Sequence, residues 1–276
     1  MRIDSTDAVS LELHDFGGDG PPLLIGHATG FCGGTYRPLA RSLTDSFHVW
    51  ALDFRSHGES TPPVSGDHNW QGMIDDALAA IEAIGEPVFG FGHSMGGASL
   101  LGAEARQLGV LKAAWVFEPI VTPPEWGESG GENPMSAVAR RRRATFESKG
   151  AALWRYSSKT PLGTLRADSL AAYIEAGFEE QEDGSITLRC DPADEGATFE
   201  AVGKPNFDDM AKVHVPVVVG YGTREPYGPQ SFAPRVAEVL SNGSGHQYSH
   251  LGHFGPLEDP TTIANDAMHH FLSTVA

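Results

Sequence analysis

The chain has 276 residues, which suits one large α/β domain carrying a modest insertion better than two independent domains. Its 19 Lys and Arg against 36 Asp and Glu leave a net charge of −17, which opposes long-range attraction to nucleic acid or to an anionic bilayer. Two cysteines, Cys32 and Cys190, are too few to staple the chain and lack metal-site spacing, and no apolar run is long enough to span a membrane.

The N-terminal MRIDSTDAVS has no basic stretch followed by an apolar one, so no signal peptide is expected and a cytoplasmic location follows by default. In chain order, β-rich runs at 9–14, 22–27, 48–52, 87–90 and 113–117 alternate with helical patterns at 36–43, 70–84 and 95–108. Strands separated by helices of this length predict βαβ crossovers and a mostly parallel sheet. PPLLIGH is apolar without alternation, as a strand buried on both faces must be, and it runs into a Gly-rich loop.

From 122 to 206 the texture changes, and an inserted, mainly helical cap is expected between core segments 1–121 and 207–276. TPPEWGESGGENP reads as a loop, MSAVARRRRATFESKGAALWRYS and DSLAAYIEAGF as helices, and EEQEDGSITLRC as a turn feeding a strand. On a helix the four arginines Arg140, Arg141, Arg142 and Arg143 would spread around the axis as solvated cap surface and could not all face one ligand, though one of them could face the pocket. The parallel pattern resumes at VPVVVGY, followed by a helix near Gln230, a last strand over about 247–251 and a C-terminal helix from about Pro260.

The chemistry centres on VFGFGHSMGGASLLGAEA. A strand runs into Gly92-His93-Ser94-Met95-Gly96 and a helix follows at once, the setting of a G-x-S-x-G nucleophile elbow. The residues two before and two after Ser94 must be small so that strand and helix can approach. The turn lifts the Ser94 hydroxyl above the sheet edge and leaves the Met95 amide free at a helix N-terminus, aimed at a developing oxyanion. A second donor is expected from the loop Ile25–Gly34 in the amide of Phe31, with Gly30 the alternative. His27 is expected to hold that loop, and Cys32, lacking an elbow, to line it.

A general base must hang from the loop after the last strand. His253 sits there, before Phe254-Gly255-Pro256, whereas His246 lies at the start of the expected strand and His250 within it. Two glutamates follow strands in the right chain order to orient His253: Glu225 after VPVVVGYGTR and Glu118 after AAWVF. Glu225 is preferred because its strand immediately precedes the one feeding the histidine; Glu118 is the alternative acid. Asp53, in DFRSHGES, belongs to a loop without such geometry.

HATGF, DFRSHGES, GHSMGG and LGHFGPLEDP, in this order, resemble the α/β-hydrolase superfamily and its capped branch of serine esterases and carbon–carbon bond hydrolases. The resemblance covers the core at both ends and not the cap. It implies an α/β-hydrolase fold, with Ser94 as nucleophile, Met95 as an oxyanion amide and His253 as base. Many relatives carry Asp where GTREP has Glu225, and many begin the oxyanion loop His-Gly where this chain has His27-Ala28. The expected activity is cleavage of a carboxylic ester through an acyl-enzyme, on a small-molecule ester or related carbonyl substrate, with no cofactor and no metal. Alternatives are carbon–carbon cleavage of a vinylogous diketone, lactone or thioester hydrolysis, and a non-catalytic binding protein on the same scaffold. Arg155 could bind a substrate acid, and Trp126, Trp154, Tyr156 and Phe178 could form an apolar lid. No nucleic acid or membrane partner is expected, and the sequence does not give the oligomeric state.

Overall fold

A computed structural model describes residues 1–126, 133–225 and 228–275. Among the described residues, eleven strands form two sheets: β1 (Arg2–Asp4), β2 (Ser10–Asp15), β3 (Pro22–Gly26), β4 (His48–Asp53), β5 (Val88–His93), β6 (Leu111–Phe117), β7 (Thr145–Phe146), β8 (Phe178–Glu180), β9 (Ile186–Leu188), β10 (Val217–Gly222) and β11 (Gly243–Tyr248). The main sheet has the order β1-β2-β4-β3-β5-β6-β10-β11, with β1 and β2 antiparallel at one edge and the strands from β4 to β11 parallel.

Helices α1 (Arg37–Ala40), α2 (Trp70–Ile84) and α3 (Met95–Arg106) connect the first half of the sheet. Asn69 caps α2 by accepting from the Gln71 amide, and Gly85 ends it at φ +89°, the left-handed conformation glycine reaches without strain. The strands feed two apolar layers by alternation. On β3, Leu24 packs on one face of the sheet while Leu23 and Ile25 pack on the other with Phe89, Phe91 and Trp115. A strand buried on both faces explains the unbroken apolar run in its sequence.

The cap lies between β6 and β10. It holds α4 (Pro134–Ala139), α5 (Lys149–Ser157), α6 (Ala167–Ala176), α7 (Pro192–Glu200) and a three-stranded antiparallel sheet in the order β7-β9-β8. A parallel bridge between Thr122 and Asn206 ties its outgoing and returning chains. After it come α8 (Phe207–Met210), α9 (Ala233–Val239), α10 (Gly255–Glu258) and α11 (Pro260–Ser273). Among the described residues no helix is long and apolar enough to cross a membrane.

The segment expected as one long cap helix is broken: α4 stops at Ala139, the arginines follow it, and Ser148 restarts the chain as α5 by accepting from the Ala151 amide. Residues 127–132 of the expected TPPEWGESGGENP loop lie outside the described residues. The last strand is also displaced. It spans Gly243–Tyr248 rather than 247–251, and most of it is exposed, because at the sheet edge it pairs only with β10.

Candidate active site

Parallel strands bring their C-terminal ends to one edge of the sheet, where ligand crevices form in α/β folds. Here the register sets His93 of β5 beside Phe117 of β6, and Phe117 beside Gly220 of β10. Three loops therefore leave side by side, carrying Ser94, Glu118 and the chain toward Glu225.

Ser94 sits at φ +55°, ψ −114°, a conformation an L-residue adopts only under constraint. The constraint is visible in the glycines around it. A Cβ on Gly92 would lie 2.3 Å from the Gly97 Cα, and one on Gly96 would lie 2.2 Å from the Gly26 backbone. Strand β3, strand β5 and helix α3 thus meet backbone to backbone, which only glycine permits. The Ser94 amide donates to the Phe117 carbonyl (2.9 Å) and the Gly96 amide to the His27 carbonyl (3.0 Å), fixing the elbow from both sides.

His253 Nε2 lies 3.2 Å from Ser94 Oγ, and its Nδ1 lies 2.6 Å from Glu118 Oε2. Glu118 is fully buried, takes φ +44°, and accepts from the Gly222 amide through its other oxygen (2.8 Å). With a carboxylate on Nδ1, the proton rests there and Nε2 presents its lone pair to the serine. His246 and His250 are exposed and turn toward Asp266 and Asp259, each at 4.0 Å, so the three histidines diverge.

The geometry corrects the preference for Glu225. That side chain is about half exposed and is held by Arg224 at 2.8 Å, which also binds Glu258. The reason lies in the sheet order: β6 runs between β5 and β10, so a carboxylate directly after β6 is one strand from the elbow. Glu225 is two strands away and three residues beyond its strand end.

The oxyanion loop requires a second correction. The Phe31 amide donates to the Ala28 carbonyl (3.1 Å), closing a turn with Gly30 at φ +79°, so that amide is already committed. Among the described residues no acceptor takes the amides of Thr29, Gly30 or Met95. Thr29, whose hydroxyl reaches the Met95 sulfur at 3.4 Å, was missed by sequence reasoning. The T-G-F step, with glycine at the third position of a turn, is the signal that could have found it.

Cap residues close over this loop. Phe31 packs on Tyr173 of α6 (5.2 Å between ring centres) and on Phe254 (5.4 Å). Of the four arginines, Arg142 turns inward, bonding Glu195 and the Tyr173 hydroxyl, and this pair lies against Gly30. Arg155 is exposed on α5. Trp154 is 72% exposed, while Tyr156 and Phe178 pack with Phe146 inside the cap and against Tyr173, the ring that meets Phe31. The side chain of Trp126 lies outside the described residues. Near the base of the cap, a cavity of about 580 Å³ among Asn69, Gln71, Thr122, Lys204 and Phe207 contains none of Ser94, Glu118 or His253.

Behind the site, Asp53 accepts from the Gly33 and Glu59 amides (2.6 and 2.8 Å) and contacts His14, bracing two loops. His27 donates from Nδ1 to the Ala28 carbonyl and accepts from the Phe54 amide (2.9 and 3.0 Å), which leaves it no proton to exchange. Burial pushes His27 down to about 4 and His57 down to about 3, and holds His93 well below its ordinary value. Unfolded, these imidazoles take up protons near pH 6.5; folded, they do not, so their stabilisation is complete above 6.5 and is lost as pH falls. Stability should therefore fall as pH drops below 6.5, by up to about 1.4 kcal/mol per pH unit for each of His27 and His57, with His93 acting in the same direction. Circular-dichroism melting at pH 7 and pH 5 checks this, and an equal Tm at both would contradict it.

The alpha/beta hydrolase family model matches residues 23–267 of the chain. A (E)-2-((N-methylformamido)methylene)succinate hydrolase of Acinetobacter baylyi is 30% identical over 263 residues, covering 93% of this chain and 92% of that protein. A non-heme chloroperoxidase of Streptomyces lividans is 24% identical over 285 residues, 99% of each. The crystal structure of an E-2-(acetamidomethylene)succinate hydrolase superposes with a TM-score of 0.78 at 19% identity, over 99% of this chain and 98% of that one.

Proposed function

The chain belongs to the alpha/beta hydrolase family and is an enzyme of that fold, and from this premise we propose that it is a serine hydrolase in which Ser94 attacks, His253 is the base and Glu118 orients it. The observation that carries the reading is the continuous contact Ser94–His253–Glu118, at 3.2 and 2.6 Å. His253 takes the Ser94 proton as Oγ adds to the substrate carbonyl. The free amides of Met95 and of the Thr29–Gly30 stretch face the developing oxyanion. His253 then protonates the leaving group, and a water activated by the same imidazole releases the acyl product.

For the substrate, the non-ester alternative has better support than a simple carboxylic ester. The Acinetobacter relative is named for a formamido-methylene succinate, and the cap of this chain turns a partly buried arginine, Arg142, toward the oxyanion loop. Glu195 balances the Arg142 charge, so the pair offers hydrogen bonds more than net positive charge. The bond cleaved is then an acyl C–N or C–C bond of a carbonyl conjugated to a carboxylic acid. A panel of p-nitrophenyl acetate, an (acylaminomethylene)succinate and a 2-hydroxy-6-oxo-dienoate tests this. One of the two acids should exceed the ester in kcat/KM by at least about tenfold, the scale of one well-placed polar contact. Turnover of the ester alone would overturn the substrate reading and leave the serine chemistry standing.

A further inference from the structure

The mechanism leaves unused a buried polar chain that runs behind Ser94. His93, the residue before the nucleophile, is fully buried and makes two side-chain hydrogen bonds. Its Nε2 lies 2.7 Å from the backbone carbonyl of His253, and its Nδ1 lies 2.6 Å from the Tyr36 hydroxyl. That hydroxyl, itself fully buried, accepts from the Ala28 amide at 3.1 Å.

The donor directions are determined without choice. A carbonyl can only accept, so Nε2 carries the proton and donates to His253. Nδ1 then holds a lone pair, so the Tyr36 O–H donates to it, and the Tyr36 oxygen is left to accept from Ala28. Every group in the chain is matched once, and burial keeps the imidazole neutral and the phenol protonated. One end is the Ala28 amide, one residue before Thr29 in the oxyanion loop. The other is the backbone of the proposed base, 225 residues later in the chain (253 − 28).

We propose that His93 and Tyr36 are positioning residues that hold the oxyanion loop and the His253 backbone at a fixed separation around Ser94. The inference rests on the serine-hydrolase reading above. Catalytic geometry tolerates little displacement, and two loops from opposite ends of the chain have no covalent reason to stay in register. A rod of hydrogen bonds through the side chain next to the nucleophile supplies that reason, whereas an apolar residue at 93 would fill the same volume without it.

The test is the labelling kinetics of a fluorophosphonate ester on wild type, Y36F, H93N and H93Q, resolved into kinact and KI on the folded fraction. Y36F keeps the ring and removes only the link. In H93N the side-chain oxygen can still accept from Tyr36 while the His253 carbonyl loses its donor, and H93Q reverses this. Each variant should lower kinact by about tenfold with KI changed less than about twofold, as loss of one transition-state alignment does. A merely structural role would lower Tm or the fraction labelled and leave kinact of the labelled fraction at the wild-type value. Wild-type kinact in Y36F, within about twofold, overturns the proposal while the hydrolase reading stands. Should Y36F fail to fold, the H93Q ratio decides by the same criterion. Absence of any adduct on wild type overturns both readings together.

Discussion

Glu118→Gln is expected to lower kcat by about 10⁴-fold, the scale seen when the orienting carboxylate of a serine triad is replaced by an amide. The carboxylate of Glu118 has two tasks, accepting from the Gly222 amide and from His253 Nδ1. The introduced amide keeps an oxygen for Gly222, so the β6–β10 edge should fold as before. Its NH2 group then faces Nδ1 and favours the tautomer whose proton sits on Nε2, where it blocks proton transfer from Ser94. E225Q should retain activity within about twofold, because an exposed ion pair such as Glu225–Arg224 contributes little. Purified variants with matched circular-dichroism spectra and steady-state rates decide the matter. A larger loss in E225Q than in E118Q would restore the glutamate that sequence order favours.

The second large effect concerns additivity. S94A and H253A should each lower kcat by about 10⁶-fold, and the double variant should lose no more than either single one, because nucleophile and base act as one unit. The 3.2 Å Ser94–His253 contact is the physical ground: without the imidazole the hydroxyl stays protonated, and without the hydroxyl the imidazole has nothing to deprotonate. Residual rate in all three should be equal, set by whatever the Met95 and oxyanion-loop amides supply alone. Losses that multiply would mean that Ser94 and His253 act in separate steps on separate groups.

The Ser94 elbow is legible in the sequence because local sterics mark it, whereas His253 is legible only by its place beyond the last strand. The elbow needs glycine at 92 and 96 because a Cβ at either would fall within about 2.3 Å of neighbouring backbone, and such a requirement leaves a mark in a short motif. Glu118 was harder because its place against His253 depends on strand order, which is a property of the whole sheet. Nothing in AAWVFEP says that β6 will lie beside β5 rather than at an edge. The Phe31 amide was misjudged for a related reason: a turn consumes one amide and frees its neighbours, and one-residue shifts of that kind are set by φ at Gly30. In the cap, arginines read as helical sit beyond the end of α4, and only packing against Glu195 and Tyr173 selects Arg142 from its neighbours. The displaced last strand has the same origin, since an exposed edge strand such as GSGHQY carries no apolar pattern to read.

The most direct measurement of the central claim is intact mass after exposure to a fluorophosphonate ester, on wild type, S94A and E118Q together. The account predicts one adduct on wild type within minutes, none on S94A, and slow labelling on E118Q. An adduct of equal mass on S94A, or none on a folded wild type with any size of probe, would contradict it.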